Sequence, residues 1–239
     1  MRGEGAEGLF LADDRLIKTY DVTVRGAQLT DGAAAPEQLP EGELSSVGLE
    51  TFGAKKLRFT DVVSLEGLPV DPVVRLVRER EAGIDGVRET LTLTSAADHP
   101  VAIELDVALS LDASPMAAVK DPHLAEKLAV AAPTAELTDT TAEWSWREGT
   151  HATLTIEGEG TSLTASTDVA QVLHARLSVT LEPGTTTSFA WALTARDEHA
   201  PFTGISEPEL SSGLDLDNAC DDEQAAVGTL LTQSLADLT

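Results

Sequence analysis

The 239-residue sequence holds a single cysteine, Cys220, so no disulfide can close within the chain and no multi-cysteine zinc site can form. A lone thiol fits a reducing compartment. Aromatic residues make up only 4% of the chain, so its core must be built mostly from Val, Leu, Ile and Ala. Basic residues are also scarce. Sixteen Lys and Arg stand against 41 Asp and Glu, a formal net charge of -25 that repels phosphate backbones and anionic headgroups and argues against nucleic-acid and membrane-surface partners. No stretch approaches the roughly 18 consecutive apolar residues of a membrane helix. The opening Met1-Arg2-Gly3-Glu4 lacks the apolar run of a leader, which makes the cytoplasm the expected location. The acidic excess itself reads as a solvated, aggregation-resistant surface.

Motifs that carry chemistry are missing as well. Gly3-Glu4-Gly5-Ala6-Glu7-Gly8 matches the spacing of a dinucleotide loop, yet no strand precedes it and two glutamates would face the pyrophosphate. The sequence has no phosphate-binding loop of Walker type, no H-E-x-x-H, no G-x-S-x-G and no EF-hand loop. The histidines (His99, His123, His151, His174, His199) are scattered without ligand spacing, so no metal is assigned; His174, on a strand, is the one expected to be partly buried. No cofactor and no catalytic residue is expected.

What the sequence does have is strand periodicity. Val101, Ile103, Leu105, Val107, Leu109 and Leu111 alternate with polar partners such as Glu104 and Asp106, the mark of a half-buried strand. The period returns at Leu173 to Leu181, stops at Glu182-Pro183-Gly184, and resumes at Phe189 to Ala195. Pro72 to Glu81 and Val87 to Thr94 flank Gly83-Ile84-Asp85-Gly86 and predict a long hairpin. Shorter strands are predicted at 9–11, 16–25, 44–51, 56–65, 142–147, 152–157 and 162–166, with a short helix near 122–128. About a dozen strands at this spacing predict an all-β fold, a large antiparallel two-sheet sandwich over residues 1–200.

A linker over 201–221 then leads to a helix over 222–239. There Asp221 and Gln224 form a capping pair, and Val227, Leu230, Leu231, Leu235 and Leu238 form one apolar stripe. Such a face needs cover, either from the sandwich itself or from a following helical domain.

Two groups of side chains invite a functional reading. Trp144 and Trp146 alternate around Ser145, so both rings share a face and serve either as core or as a sugar-stacking platform. Arg75, Arg78, Arg80 and Arg88 alternate with Glu79, Glu81 and Glu89 across the predicted hairpin, which suggests a solvated ladder of cross-strand ion pairs.

Two segments resemble a known family. Gly8-Leu9-Phe10-Leu11-Ala12-Asp13-Asp14-Arg15-Leu16, followed by Tyr20-Asp21-Val22-Thr23-Val24, resembles the opening of the N-terminal domain of bacterial glycogen-debranching-type (amylo-α-1,6-glucosidase-like) proteins, whose pattern is Gly-hydrophobic-Phe and then Asp-Thr-Arg before a strand. Asp71-Pro72-Val73-Val74-Arg75-Leu76-Val77-Arg78-Glu79-Arg80, with Asp85-Gly86-Val87-Arg88-Glu89 behind it, is similar to that family's arginine-rich strand and return strand. The likeness is firm over about residues 8 to 125 and continues as strand order to about 200. Asp14 departs from it, standing where the family usually has Thr.

The resemblance implies a β-sandwich placed before an (α/α) toroid that carries the catalytic carboxylates of a glycoside hydrolase, with residues 222–239 as the toroid's first helix. On that reading the domain is non-catalytic, its partner is the downstream helical domain, and Asp13 and Arg15 are candidate contacts to an α-glucan or to a catalytic neighbour, unless they pair with each other to fix the turn. Two other readings stand beside it. One is a stand-alone carbohydrate-binding sandwich using Trp144 and Trp146; the other is an assembly domain that forms a homo-oligomer through strand edges or the terminal helix.

Overall fold

A computed structural model of the chain describes residues 8–11, 13–29, 36, 38–53, 55–69, 71–83, 86–121, 123–124, 133–166 and 171–199. The expected linker, the terminal helix and Cys220 lie outside them, as does most of 122–128.

Among the described residues, thirteen strands and one short helix follow in order: β1 (Leu9–Leu11), β2 (Asp14–Gln28), β3 (Glu43–Phe52), β4 (Lys56–Ser64), β5 (Val74–Ala82), β6 (Gly86–Ser95), β7 (Val101–Leu111), α1 (Met116–Lys120), β8 (Glu136–Leu137), β9 (Thr141–Trp144), β10 (Thr150–Glu157), β11 (Thr161–Ser166), β12 (Val172–Leu181) and β13 (Thr186–Asp197). They form two antiparallel sheets. The five-stranded sheet runs β1-β2-β7-β12-β11, and the eight-stranded sheet runs β3-β4-β5-β6-β13-β10-β9-β8. The all-β sandwich expected from the alternation is the fold. No helix among the described residues is long and apolar enough to cross a membrane.

The core lies between the sheets and is aliphatic, as the shortage of aromatics requires. Every odd residue of β7 from Val101 to Leu111 is buried, with Leu173, Ala175, Leu177 and Leu181 beside them on β12. Facing them are Leu91 and Leu93 of β6, Leu154 and Ile156 of β10, and Phe189, Trp191 and Leu193 of β13. Successive side chains on a strand point to opposite faces, so period-2 patterning places all of these in one layer.

The turn after β12 does not close a hairpin. The Thr185 N–H and hydroxyl both bond to the Glu182 carbonyl, at 3.1 and 2.7 Å, and Gly184 takes φ +72°. This turn carries the chain from the five-stranded sheet into the middle of the eight-stranded one, where β13 sits between β6 and β10.

The sheets are unequal, and the larger one overhangs. Directly paired residues share a face, so the register Leu49–Phe59–Arg78–Leu91–Phe189 is one row across the inner face of the eight-stranded sheet. Along that row Phe189 and Leu91 are sealed, Arg78 and Phe59 are half-buried, and Leu49 is 61% exposed. The neighbouring row reads Thr51–Leu57–Arg80–Glu89–Trp191. The inner face at the Leu49–Thr51 end of β3 and the Leu57–Phe59 end of β4, with the adjoining end of β5, therefore projects past the smaller sheet.

Candidate functional site

Two clusters bring polar chemistry together, and the first is the turn between β1 and β2. Arg15 is buried, and its Nε donates to Oδ2 of Asp112 at the end of β7. Asp112 in turn accepts from the Ala113 N–H (2.8 Å), the Ser114 N–H (3.1 Å) and the Ser114 hydroxyl (2.7 Å), while the Arg15 N–H bonds the Ser114 carbonyl at 2.9 Å. Arg15 thus pairs with Asp112 and not with Asp13. Gly8 makes this possible. A Cβ there would lie 2.5 Å from Cδ of Arg15 and 2.6 Å from the Ile17 carbonyl oxygen, at a φ of +146° that side chains rarely adopt. The spacing Gly8 to Arg15 in the family-like motif is therefore a packing relation: the arginine stem crosses the glycine to reach its carboxylate.

Asp13 is exposed at the tip of this turn, and its carbonyl accepts the Met116 N–H at the start of α1 at 2.5 Å. Asp14 is buried and draws in a second loop. Its Oδ2 accepts the Trp146 indole N–H at 2.9 Å and pairs with Arg147, which also pairs with Oδ2 of Asp197 at the end of β13. The His199 N–H bonds Oδ1 of Asp197 at 2.9 Å. That bond, with Arg147 behind it, holds the Asp197 carboxyl below the usual aspartate range. Trp146 is thus brought to Asp14, which stands between Asp13 and Arg15 in the chain, at the end of the sandwich where β13 leaves. Trp144 belongs to the core, 3% exposed, and its Nε1 has no partner among the described residues. Sequence reading missed Asp14, Asp112, Arg147 and Asp197 as partners. The one available signal was Asp14 itself, a carboxylate where the family-like pattern calls for Thr.

The second cluster sits on the overhanging inner face. Glu89 is fully buried; its Oε1 accepts the Tyr20 hydroxyl across the sandwich at 2.5 Å, and its Oε2 accepts Nε of Arg80 at 2.6 Å. Arg78 gives Nε to buried Asp61 at 2.8 Å. The Arg80 guanidinium lies 4.4 Å from the Tyr20 ring and 5.7 Å from that of Phe59, and Arg78 lies 4.9 Å from Phe59. Burial and the Glu89 carboxylate push the Tyr20 phenol far above its ordinary value, so it stays a donor. Half of the arginine ladder is therefore interior rather than solvated, because Arg78 and Arg80 share the inward parity of Leu76. The outward half, Arg75 and Arg88, does bathe in solvent; Arg88 binds Glu157 at 2.8 Å, and the ladder's Glu79 is bound by Arg58 of β4 at 2.9 Å. Beside the interior cluster lies a cavity of about 30 Å³, bounded by Leu9, Ile17, Tyr20, Arg80, Leu109 and Trp191, which has room for one water.

Each buried carboxylate is bound to a guanidinium, an arrangement that fixes strands rather than presenting a free acid and base. His174 is half-buried and meets Asp106 at 2.9 Å on the outer face of the smaller sheet. Among the described residues no group of three or more His, Cys, Asp or Glu could hold a metal ion.

Comparison with solved structures gives matches of low identity. A galactose mutarotase-like protein from Lactobacillus casei matches at TM-score 0.44 and 10% identity, over 76% of this chain and 90% of that one. The Slr1438 protein from Synechocystis sp. PCC 6803 matches at 0.42 and 11%, over 67% of each chain. A heparan sulfate lyase mutant from Pedobacter heparinus matches at 0.39 and 12%, over 66% of this chain, which spans only 22% of the lyase. Likeness at this level says nothing about activity. No curated protein matches the sequence. A family model does, over residues 1–192, and the chain belongs to the family it describes, the N-terminal domain of (some) glycogen debranching enzymes.

Proposed function

We propose that this chain is the non-catalytic N-terminal domain of a cytoplasmic glycogen-debranching-type glycoside hydrolase, that it packs on a helical catalytic toroid reached through residues 201–239, and that its β1–β2 turn borders the glucan cleft. The observation that carries the reading is the anchoring of that turn from three sides. Asp112 holds Arg15, while Trp146 and Arg147 hold Asp14, and Arg147 reaches on to Asp197 where β13 leaves the sandwich.

A turn held this firmly presents the exposed Asp13 carboxylate at little entropic cost, and a carboxylate is a strong acceptor for sugar hydroxyls. Arg15, sealed against Asp112, acts by positioning Asp13 rather than by touching sugar. A stand-alone sugar-binding sandwich would need both tryptophan rings exposed, whereas Trp144 is interior.

The test is steady-state hydrolysis of a branched α-glucan by the full gene product. Asp13→Ala lowers kcat/KM by roughly tenfold with the melting temperature unchanged. Unchanged kinetics would remove the turn from the cleft.

A further inference from the structure

We infer that the overhanging inner face of β3 and β4, with Leu49, Leu57 and Phe59 bordered by Arg78 and Arg80, is the surface on which the helical domain of the same polypeptide docks, through an amphipathic helix whose apolar stripe is edged by Asp or Glu. This rests on the reading above and adds to it the contact surface.

Three observations lead there. Leu49 shares a row with Leu91 and Phe189 of the core, yet is 61% exposed, so a core-facing position lacks cover from the smaller sheet. Val47, at the bulge in the same edge strand, is 62% exposed. Glu89 takes the Nε of Arg80, and no described residue accepts from its terminal nitrogens, although its plane is fixed against Tyr20 and Phe59. A guanidinium fixed in that way favours a carboxylate partner.

The occupant follows from charge and from tethering. A second copy would bring another net charge of -25 to the same patch, which opposes self-association. A domain on the same chain docks at high effective concentration and needs no large area. A glucan is the poorer fit, because the most exposed side chains here, Val47 and Leu49, are aliphatic, while the Phe59 ring is stacked under Arg78 and those of Tyr20 and Trp191 are interior.

Hydrogen exchange read by mass spectrometry tests this, comparing the full gene product with the 239-residue chain. Amides of β3 and the first half of β4 exchange at least about tenfold more slowly in the full product. Leu49→Glu, at an exposed position, abolishes that protection and leaves the melting of the 239-residue chain unchanged; Thr60→Glu, on the opposite face of β4, leaves it intact. If β3 exchanges alike in both proteins while 145–149 is protected, the helical domain docks elsewhere: this surface is wrong and the proposed function stands. A gene product without a helical domain, or one with no protection anywhere, overturns both. Protection in the 239-residue chain that grows with its concentration makes a second copy the occupant and overturns the inference.

Discussion

The indole N–H of Trp146 donates a 2.9 Å hydrogen bond to Asp14, 132 residues earlier in the chain, and that contact ties the loop after β9 to the first long strand. Arg147, the next residue, pairs with the same carboxylate oxygen and with Asp197. One loop therefore clamps the entry of β2 to the exit of β13.

Removing the clamp separates the two ends. Arg147→Met leaves Asp14 with only the indole donor and is expected to cost about 2 kcal/mol, at the low end for a buried pair because the guanidinium is itself half exposed. Trp146→Phe costs about 1 kcal/mol. Urea unfolding of the two single variants and the double one gives the coupling, and strict additivity would mean that the two donors do not share Asp14.

Gly8 admits no side chain. Gly8→Ala sets a methyl against the Arg15 stem at a strained φ, and a loss of roughly 2 kcal/mol is expected. Thermal denaturation decides. A variant as stable as the parent would show that Arg15 can leave Asp112 without penalty.

Within the interior cluster, Glu89→Gln removes the buried charge that pairs with Arg80 and is expected to cost about 3 kcal/mol, against about 1 kcal/mol for Tyr20→Phe. The two effects should be non-additive, since Tyr20→Phe removes the donor of a bond whose charged acceptor Glu89→Gln replaces by a weaker amide oxygen. Chemical denaturation of all four proteins in the cycle reads this directly.

Acid weakens the outer pairs and the clamp by protonating their carboxyls. The carboxyls of Asp197, bonded by the His199 N–H, and of Glu79, bonded by Arg58, are held below their ordinary values in the fold. A carboxyl with a lowered folded value contributes stability above its unfolded value, about 4, and loses it as pH falls through the folded value. Melting temperature should therefore hold at neutral pH and fall below about pH 4. In Asp197→Asn the acid slope should be shallower, and an identical slope would show that Asp197 is not linked to folding.

Much of the sandwich was legible because burial follows period 2. The strands from Val101 to Leu111 and from Phe189 to Ala195 lie where the alternation puts them, and the hairpin around 83–86 forms β5 and β6. Alternation does not reveal how far one sheet extends past the other. Arg78 and Arg80 therefore read as solvent ladder residues when they point inward beside Leu76. Nor can it reveal pairings across the sandwich: Trp146 and Asp14, or Tyr20 and Glu89, carry no local mark of each other. Trp144 and Trp146 looked equivalent from spacing, but β9 ends at Trp144 and the chain bends before Trp146, which leaves one ring in the core and the other at its rim.

The sheet-switching turn after β12 also bears on when the molecule can fold as it is made. Strand β12 lies between β7 and β11, and β13 lies between β6 and β10, so the last two strands among the described residues complete the interior of both sheets in turn. Until about residue 181 has emerged the five-stranded sheet lacks its bridge to β11, and until about residue 197 the eight-stranded sheet exists as two unjoined pieces. Productive folding must then be late and concerted in synthesis, and a stall before β13 would leave two exposed apolar half-sheets for a chaperone to cover.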